Sequence, residues 1–228
     1  MRPLLSSIVL AATLAAPAGP AAAQSAIPGF GYDERPPSGA PLSLPPGLEI
    51  AGPLQGADDD GNCPKPSTNT VGSGLWVRAC LPVKNLTGAP VVFIFPPGLT
   101  IVSASETFQN GLLVERTLVT VPPREIGAPG RLRDKKEDDD VVYIPVHMYC
   151  INPAKAPSDA TASFTLGPVV AHPGLERIYQ ILEGRNIAND RDPVEAVQSA
   201  VYDIVREGVI SEDTEEDLRT YVIEREGG

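Results

Sequence analysis

Val141-Val142-Tyr143-Ile144-Pro145-Val146-His147-Met148-Tyr149-Cys150-Ile151 is the stretch on which the fold of this chain turns. Val142, Ile144, Val146, Met148 and Cys150 fall on one side of an extended backbone, and Tyr143, His147 and Tyr149 on the other. A two-residue period of this length predicts a strand with one face in an apolar core.

Working outward, residues 131–140 are nearly all charged, too polar to pack, and predict a solvated hairpin loop. Residues 112–121 predict a strand that starts after the turn at Gly111 and stops at Pro122-Pro123. Residues 91–95 are continuously apolar and predict a central, buried strand. Pro96-Pro97-Gly98 ends it, and residues 99–104 offer another. Residues 75–83 alternate, with Leu75, Val77, Ala79, Leu81 and Val83 on one face and Trp76, Arg78, Cys80, Pro82 and Lys84 on the other. Residues 162–169 close the set. Short strands at this spacing, with no helical period between them, predict an immunoglobulin-like antiparallel β-sandwich over residues 71–170.

After His172-Pro173-Gly174 the period becomes helical, and residues 171–228 predict two or three short amphipathic helices. Leu175, Ile178, Tyr179 and Leu182 make the first stripe, ended by Gly184. Asp192, Pro193 and Glu195 form an N-cap, N1 and capping-box pattern before Val194, Val197, Val201, Ile204 and Val205, which stop at Gly208. The third helix begins near Ser211 or Thr214 and carries Leu218, Tyr221 and Val222.

The N-terminus reads as an export signal. Arg2 precedes an uncharged apolar run over residues 4–16, Pro17, Gly19 and Pro20 break it, and Ala21-Ala22-Ala23 supplies the small residues of a cleavage site. That run is shorter than the about 20 residues needed to cross a bilayer, and no later stretch approaches that length. The expectation is a signal peptide over 1–23 and a periplasmic or cell-surface protein with no membrane insertion after cleavage. Residues 24–70, rich in Pro and Gly and then polar, predict a largely disordered arm and loop, with Leu42, Leu44, Leu48 and Ile50 able to tack part of it onto the core.

Net charge is −11, which argues against nucleic-acid binding, since that requires clustered Lys and Arg to displace counterions. Three cysteines, Cys63, Cys80 and Cys150, stand in a compartment that permits disulfides, so at least one stays unpaired within a monomer. Cys80 points away from its strand's core face, within reach of Cys63, whereas Cys150 points into the core. This favours a Cys63–Cys80 bridge, closing a loop of about 17 residues worth about 3 kcal/mol. Cys80–Cys150 across the sandwich is the rival pairing.

Tyr149-Cys150-Ile151 resembles the aromatic-Cys-apolar start of the thioester domains of bacterial surface adhesins, and Val197-Gln198-Ser199-Ala200-Val201-Tyr202 is similar to their Thr-Gln-x-Ala-apolar-Trp motif. The resemblance covers these two blocks. Val197 stands in place of Thr and Tyr202 in place of Trp, and the separate glutamine motif that would acylate the cysteine is not evident. What it implies is an adhesin-type fold with a thioester on Cys150, Gln198 being the glutamine of the second block, able to capture an amine.

The remaining motifs point to no catalytic centre or cofactor. Asp58-Asp59-Asp60-Gly61-Asn62 and residues 137–140 carry hard oxygen ligands without EF-hand spacing, and read as solvated loops. His147 and His172 lie far apart, and no Cys pair has zinc-finger spacing. Gly72-Ser73-Gly74 is a turn and lacks the Gly-x-Ser-x-Gly of a nucleophile elbow. Asn85-Leu86-Thr87 fits a glycosylation sequon, discounted beside an Ala-rich bacterial-type signal. The function expected is a non-enzymatic binding or structural protein of the cell envelope or extracellular surface, meeting protein partners or copies of itself through the N-terminal arm or sheet edges. A covalent adhesin is the alternative, and a secreted enzyme without an identifiable site the third.

Overall fold

A computed structural model describes residues 27–123, 140–188 and 190–224. The signal segment 1–23 and residues 131–139 of the charged block lie outside the described residues. The chain is mainly β with its helices at the C-terminus. Its strands are β1 (Leu48–Ile50), β2 (Leu54–Gly56), β3 (Val77–Asn85), β4 (Val91–Phe95), β5 (Leu99–Ser103), β6 (Gly111–Leu112), β7 (Thr117–Val121), β8 (Val142–Cys150) and β9 (Ser163–Val169).

The strand arrangement differs from two open, facing sheets. β3, β2, β9, β5, β6 and β8 pair in that order, and β8 pairs back onto β3, so six antiparallel strands close into a barrel-like ring. β1 continues β2 along the same edge of β3, with Leu48 opposite Asn85 and Gln55 opposite Cys80. The expected strand over 112–121 is split, because β6 stays in the ring while β7 leaves it to pair with β4 as a separate two-stranded ribbon. β3 and β8 pack their inward rows, Val77, Ala79, Leu81 and Val83 against Ile144, Val146, Met148 and Cys150, into the ring's core with Phe93 and Phe95 of the ribbon.

The arm departs from the expected disorder. From residue 27 to residue 70 it is laid along the barrel: Ile27 and Phe30 are buried among the helices, Ala40 exchanges backbone hydrogen bonds with Val169, and β1 and β2 join the sheet. Asn152 Nδ2 donates to the carbonyls of Gly29 and Gly31, both at 3.1 Å. Low apolar content per residue did not forbid order, since a few anchors and paired main-chain groups suffice when a finished surface is already there.

The helices are α1 (Pro173–Leu182), α2 (Arg191–Glu207) and α3 (Glu212–Leu218), followed by one π-helical turn over Arg219–Ile223. His172 caps α1, its Nδ1 accepting from the Gly174 N–H. α2 starts earlier than its capping pattern suggested: Asp190 is the N-cap, and Pro193 sits inside the first turn, where its missing N–H costs no helix bond. Gly208, at φ +78°, ends α2. Ser211 caps α3, its Oγ accepting from the Thr214 N–H. Val194, Val197, Val201, Ile204 and Val205 of α2 form a second core with Leu112, Val114, Tyr149 and Ile151 outside the ring. Among the described residues no helix is long and apolar enough to cross a membrane.

Candidate functional site

Cys63 and Cys80 are joined, with Sγ–Sγ 2.00 Å and Cα–Cα 5.5 Å, and Cys150 is a buried free thiol. The bridge lies outside the ring with Ala57 and Tyr143. Beside it, Asp58 closes its own loop: Oδ1 accepts from the N–H groups of Asn62 at 2.7 Å and Asp60 at 3.1 Å. Those bonds, that of Asn62 foremost, hold its carboxyl below the ordinary range. Among the described residues no three His, Cys, Asp or Glu side chains gather as a metal site. His147 Nε2 lies 3.1 Å from the Gly61 carbonyl, and burial depresses its basicity. His172 is the α1 cap, so the two histidines are in separate places.

The two blocks carrying the adhesin resemblance meet. The Cys150 N–H donates to Gln198 Oε1 at 2.9 Å, and Gln198 Nε2 donates to the Cys150 carbonyl at 3.0 Å. Gln198 therefore acts as one more residue of sheet edge, tying α2 to the end of β8, and its amide serves the main chain of Cys150 instead of its sulfur. One turn further along α2, the Tyr202 hydroxyl is in hydrogen-bonding reach of both the Cys150 thiol and the Gln109 side chain. Gln109 is buried, and its Oε1 has no hydrogen-bond partner. Burial pushes the Cys150 thiol up to about 12, so it is a neutral thiol at physiological pH.

Protein-family models, curated proteins and solved structures were compared with this chain, and none matches.

A second polar cluster lies next to the first because Tyr149 and Cys150 point to opposite faces of β8. Residues 66–74 run beside β8 in parallel, with bridges from Ser67 to Tyr143 and from Val71 to Val146. Gly72 takes φ +78° there, and a Cβ on it would sit 2.2 Å from the His147 carbonyl oxygen. That close approach turns Ser73 inward. Its Oγ lies 2.7 Å from the Tyr149 hydroxyl and donates to Glu115 Oε1, which the Tyr149 hydroxyl also approaches at 3.4 Å. Glu115 is 8 % exposed and its Oε2 has no partner. Desolvation raises its carboxyl above the ordinary range, against the hydrogen bonds of Ser73 and Tyr149. Sequence reading missed Gln109 and Glu115: Glu115 gave one ambiguous signal, an acid directly after Leu112-Leu113-Val114, and Gln109, between Phe108 and Asn110, gave none.

The ribbon of β4 and β7 is the third feature. Phe93, Phe95, Val119 and Val121 face the ring, while Val92, Ile94 and Leu118 point outward with 53, 47 and 55 % of their surface exposed. The strand expected to be central is thus at the surface, and among the described residues β4 and β7 pair only with each other.

Proposed function

We propose that this chain is an exported, non-enzymatic binding or structural protein of the bacterial cell envelope or surface, and that it works by association through the β4–β7 ribbon. The observation that carries the reading is the outward apolar row of Val92, Ile94 and Leu118. Contiguous exposed apolar surface on a soluble domain marks an interaction site more often than isolated residues do. The occupant is a second copy, packed ribbon to ribbon about a two-fold axis. Neither strand contains a charged residue, so apposing two such faces brings no acids together even though each chain carries −11. The arm, by contrast, is engaged with its own barrel and offers little to a neighbour.

Sedimentation equilibrium of the secreted protein tests this. A monomer–dimer equilibrium is expected, strengthened by added salt as charge repulsion is screened. Ile94→Lys with Leu118→Lys should weaken it at least tenfold with little loss of fold stability. A monomer at every concentration, or dimers indifferent to these substitutions, overturns the reading.

A second reading rests on the two blocks of the adhesin resemblance meeting in the fold: a covalent adhesin carrying an internal thioester on Cys150. Its acyl donor would be Gln198, whose amide would first have to leave the Cys150 main chain. Sγ would bond to Gln198 Cδ, the Cδ–N bond would break, and the thiol proton would leave with the amide nitrogen as ammonia. Intact mass after alkylation under denaturing conditions decides it. A chain lighter by one ammonia, with Cys150 unalkylated until a small amine is added, supports the thioester; full mass with one alkylated thiol removes it.

A further inference from the structure

Residues 31–37 of the arm, residues 102–106 at the end of β5, and residues 152–155 after β8 enclose a cleft of ≈ 410 Å³. No residue of β4 or β7 lines it, so it stands apart from the proposed assembly.

Two buried asparagines fix its walls to one another. Asn152 Nδ2 holds the arm through the Gly29 and Gly31 carbonyls, and Asn152 Oδ1 accepts from the Asn110 N–H at 3.0 Å. Asn110 Oδ1 in turn accepts from the Ser103 N–H at 2.9 Å. Burying such groups costs desolvation, and what it returns is a fixed geometry. The cleft is therefore formed before a ligand arrives, which removes much of the ordering cost from binding.

On this frame Tyr32 stands out into solvent. It is 82 % exposed, the most of any large apolar or aromatic residue among the described residues. Its neighbours are nevertheless tied down, the Gly31 N–H to the Ile151 carbonyl and the Asp33 N–H to the Phe30 carbonyl. Beside it Arg35 spends Nε and Nη2 on Asp33, which leaves Nη1 for another partner. Glu34, Glu106 and Lys155 complete the charged lining.

We propose that the cleft binds a neutral oligosaccharide of pyranose units, one sugar stacked on the Tyr32 ring and its hydroxyls bonded to the charged side chains around it, Arg35 foremost. Charge selects against the alternatives. Glu34 and Glu106 repel an anion, and Arg35 and Lys155 repel a cation. A hydroxyl both donates and accepts, so a neutral polyol meets both signs, and hydrogen bonds to charged groups are the stronger kind. A peptide would look for unpaired main chain, but the N–H groups of Gly31, Ser103, Ala104 and Ser105 are already bonded within the protein. The exposed phenol ring supplies what hydroxyls leave unmet, an apolar platform for the C–H face of a sugar.

Saturation-transfer NMR and calorimetric titration of the protein with cellotriose, mannotriose and chitotriose test this. Saturable binding of at least one trisaccharide at about 1 mM or tighter is expected. Tyr32→Ala should weaken it about tenfold or more, while Tyr32→Phe keeps the platform and should stay within about threefold of the wild type. Neither substitution should move the melting temperature, because the side chain lies in solvent. Absence of saturable binding of all three trisaccharides by the folded protein overturns the proposal. So does binding that Tyr32→Ala leaves undiminished, or a loss with Tyr32→Phe as large as with Tyr32→Ala.

Discussion

Glu115 stands among the buried side chains as an acid held by two hydroxyls, and its ionisation is resisted by its surroundings. A carboxyl whose folded pKa lies above its unfolded one binds more protons when folded. Its contribution is therefore most favourable in acid, and is lost as pH rises from the ordinary carboxyl range, 4.5 for the free group, through the raised folded value. Glu115→Gln removes that titration. Melting temperature measured from pH 4 to pH 8 should show the variant gaining on the wild type as pH increases, then running parallel to it. A constant difference over the whole range would mean that Glu115 titrates normally. None of this cluster was legible in the sequence: Ser73, Glu115 and Tyr149 lie 34 to 76 positions apart, and only the fold brings them together. The cysteines were easier, because alternation along β3 and β8 settles which sulfur faces the core and which faces the loop.

Between elements, the hydrogen bonds that tie α2 to the main chain of β8 come from one side chain among the described residues. Gln198 pairs with both main-chain groups of Cys150, inside the protein and away from water. Gln198→Ala leaves an N–H and a carbonyl buried without partners, and should cost about 2–4 kcal/mol. Urea unfolding is the measurement, with a lower midpoint at unchanged slope expected. Gln198→Glu offers an acceptor but no donor and should recover only part of the loss. The elements themselves were largely readable, since the two-residue period marks β3 and β8 and the 3.6-residue stripe marks α2. β4 was misjudged because an unbroken apolar run looks the same in a central strand as in a ribbon with one apolar face turned outward. Sequence patterning records hydrophobicity, and it is silent about whether the partner surface belongs to the same molecule.

Over the whole molecule, the arm is a structural part of the barrel. Phe30 is fully buried with Ile27 among the residues of α1 and α2, and the Gly31 N–H donates to the Ile151 carbonyl at 2.7 Å. Phe30→Ala, although 18 residues before the first strand, should destabilise the protein by about 3–5 kcal/mol, as an aromatic deletion from a packed core does. Chemical denaturation of the protein checks it, and a change below about 1 kcal/mol would mean that the arm is not held in solution. Pro and Gly content suggested the opposite because composition measures how well a segment orders alone, and this one orders against a surface built partly by β3 and partly by residues more than 100 positions later.

The closure of the ring also sets an order of events. β2 can find β3 almost at once, but its other edge is covered only by β9, so a chain emerging from its N-terminus must wait for residues 163–169 before the last seam forms. Pairings this distant in sequence make for slow folding. During that interval the edges of β2 and β5 are open, and a newly made chain is most vulnerable to a chaperone, a protease or a neighbouring nascent copy just before its final third arrives.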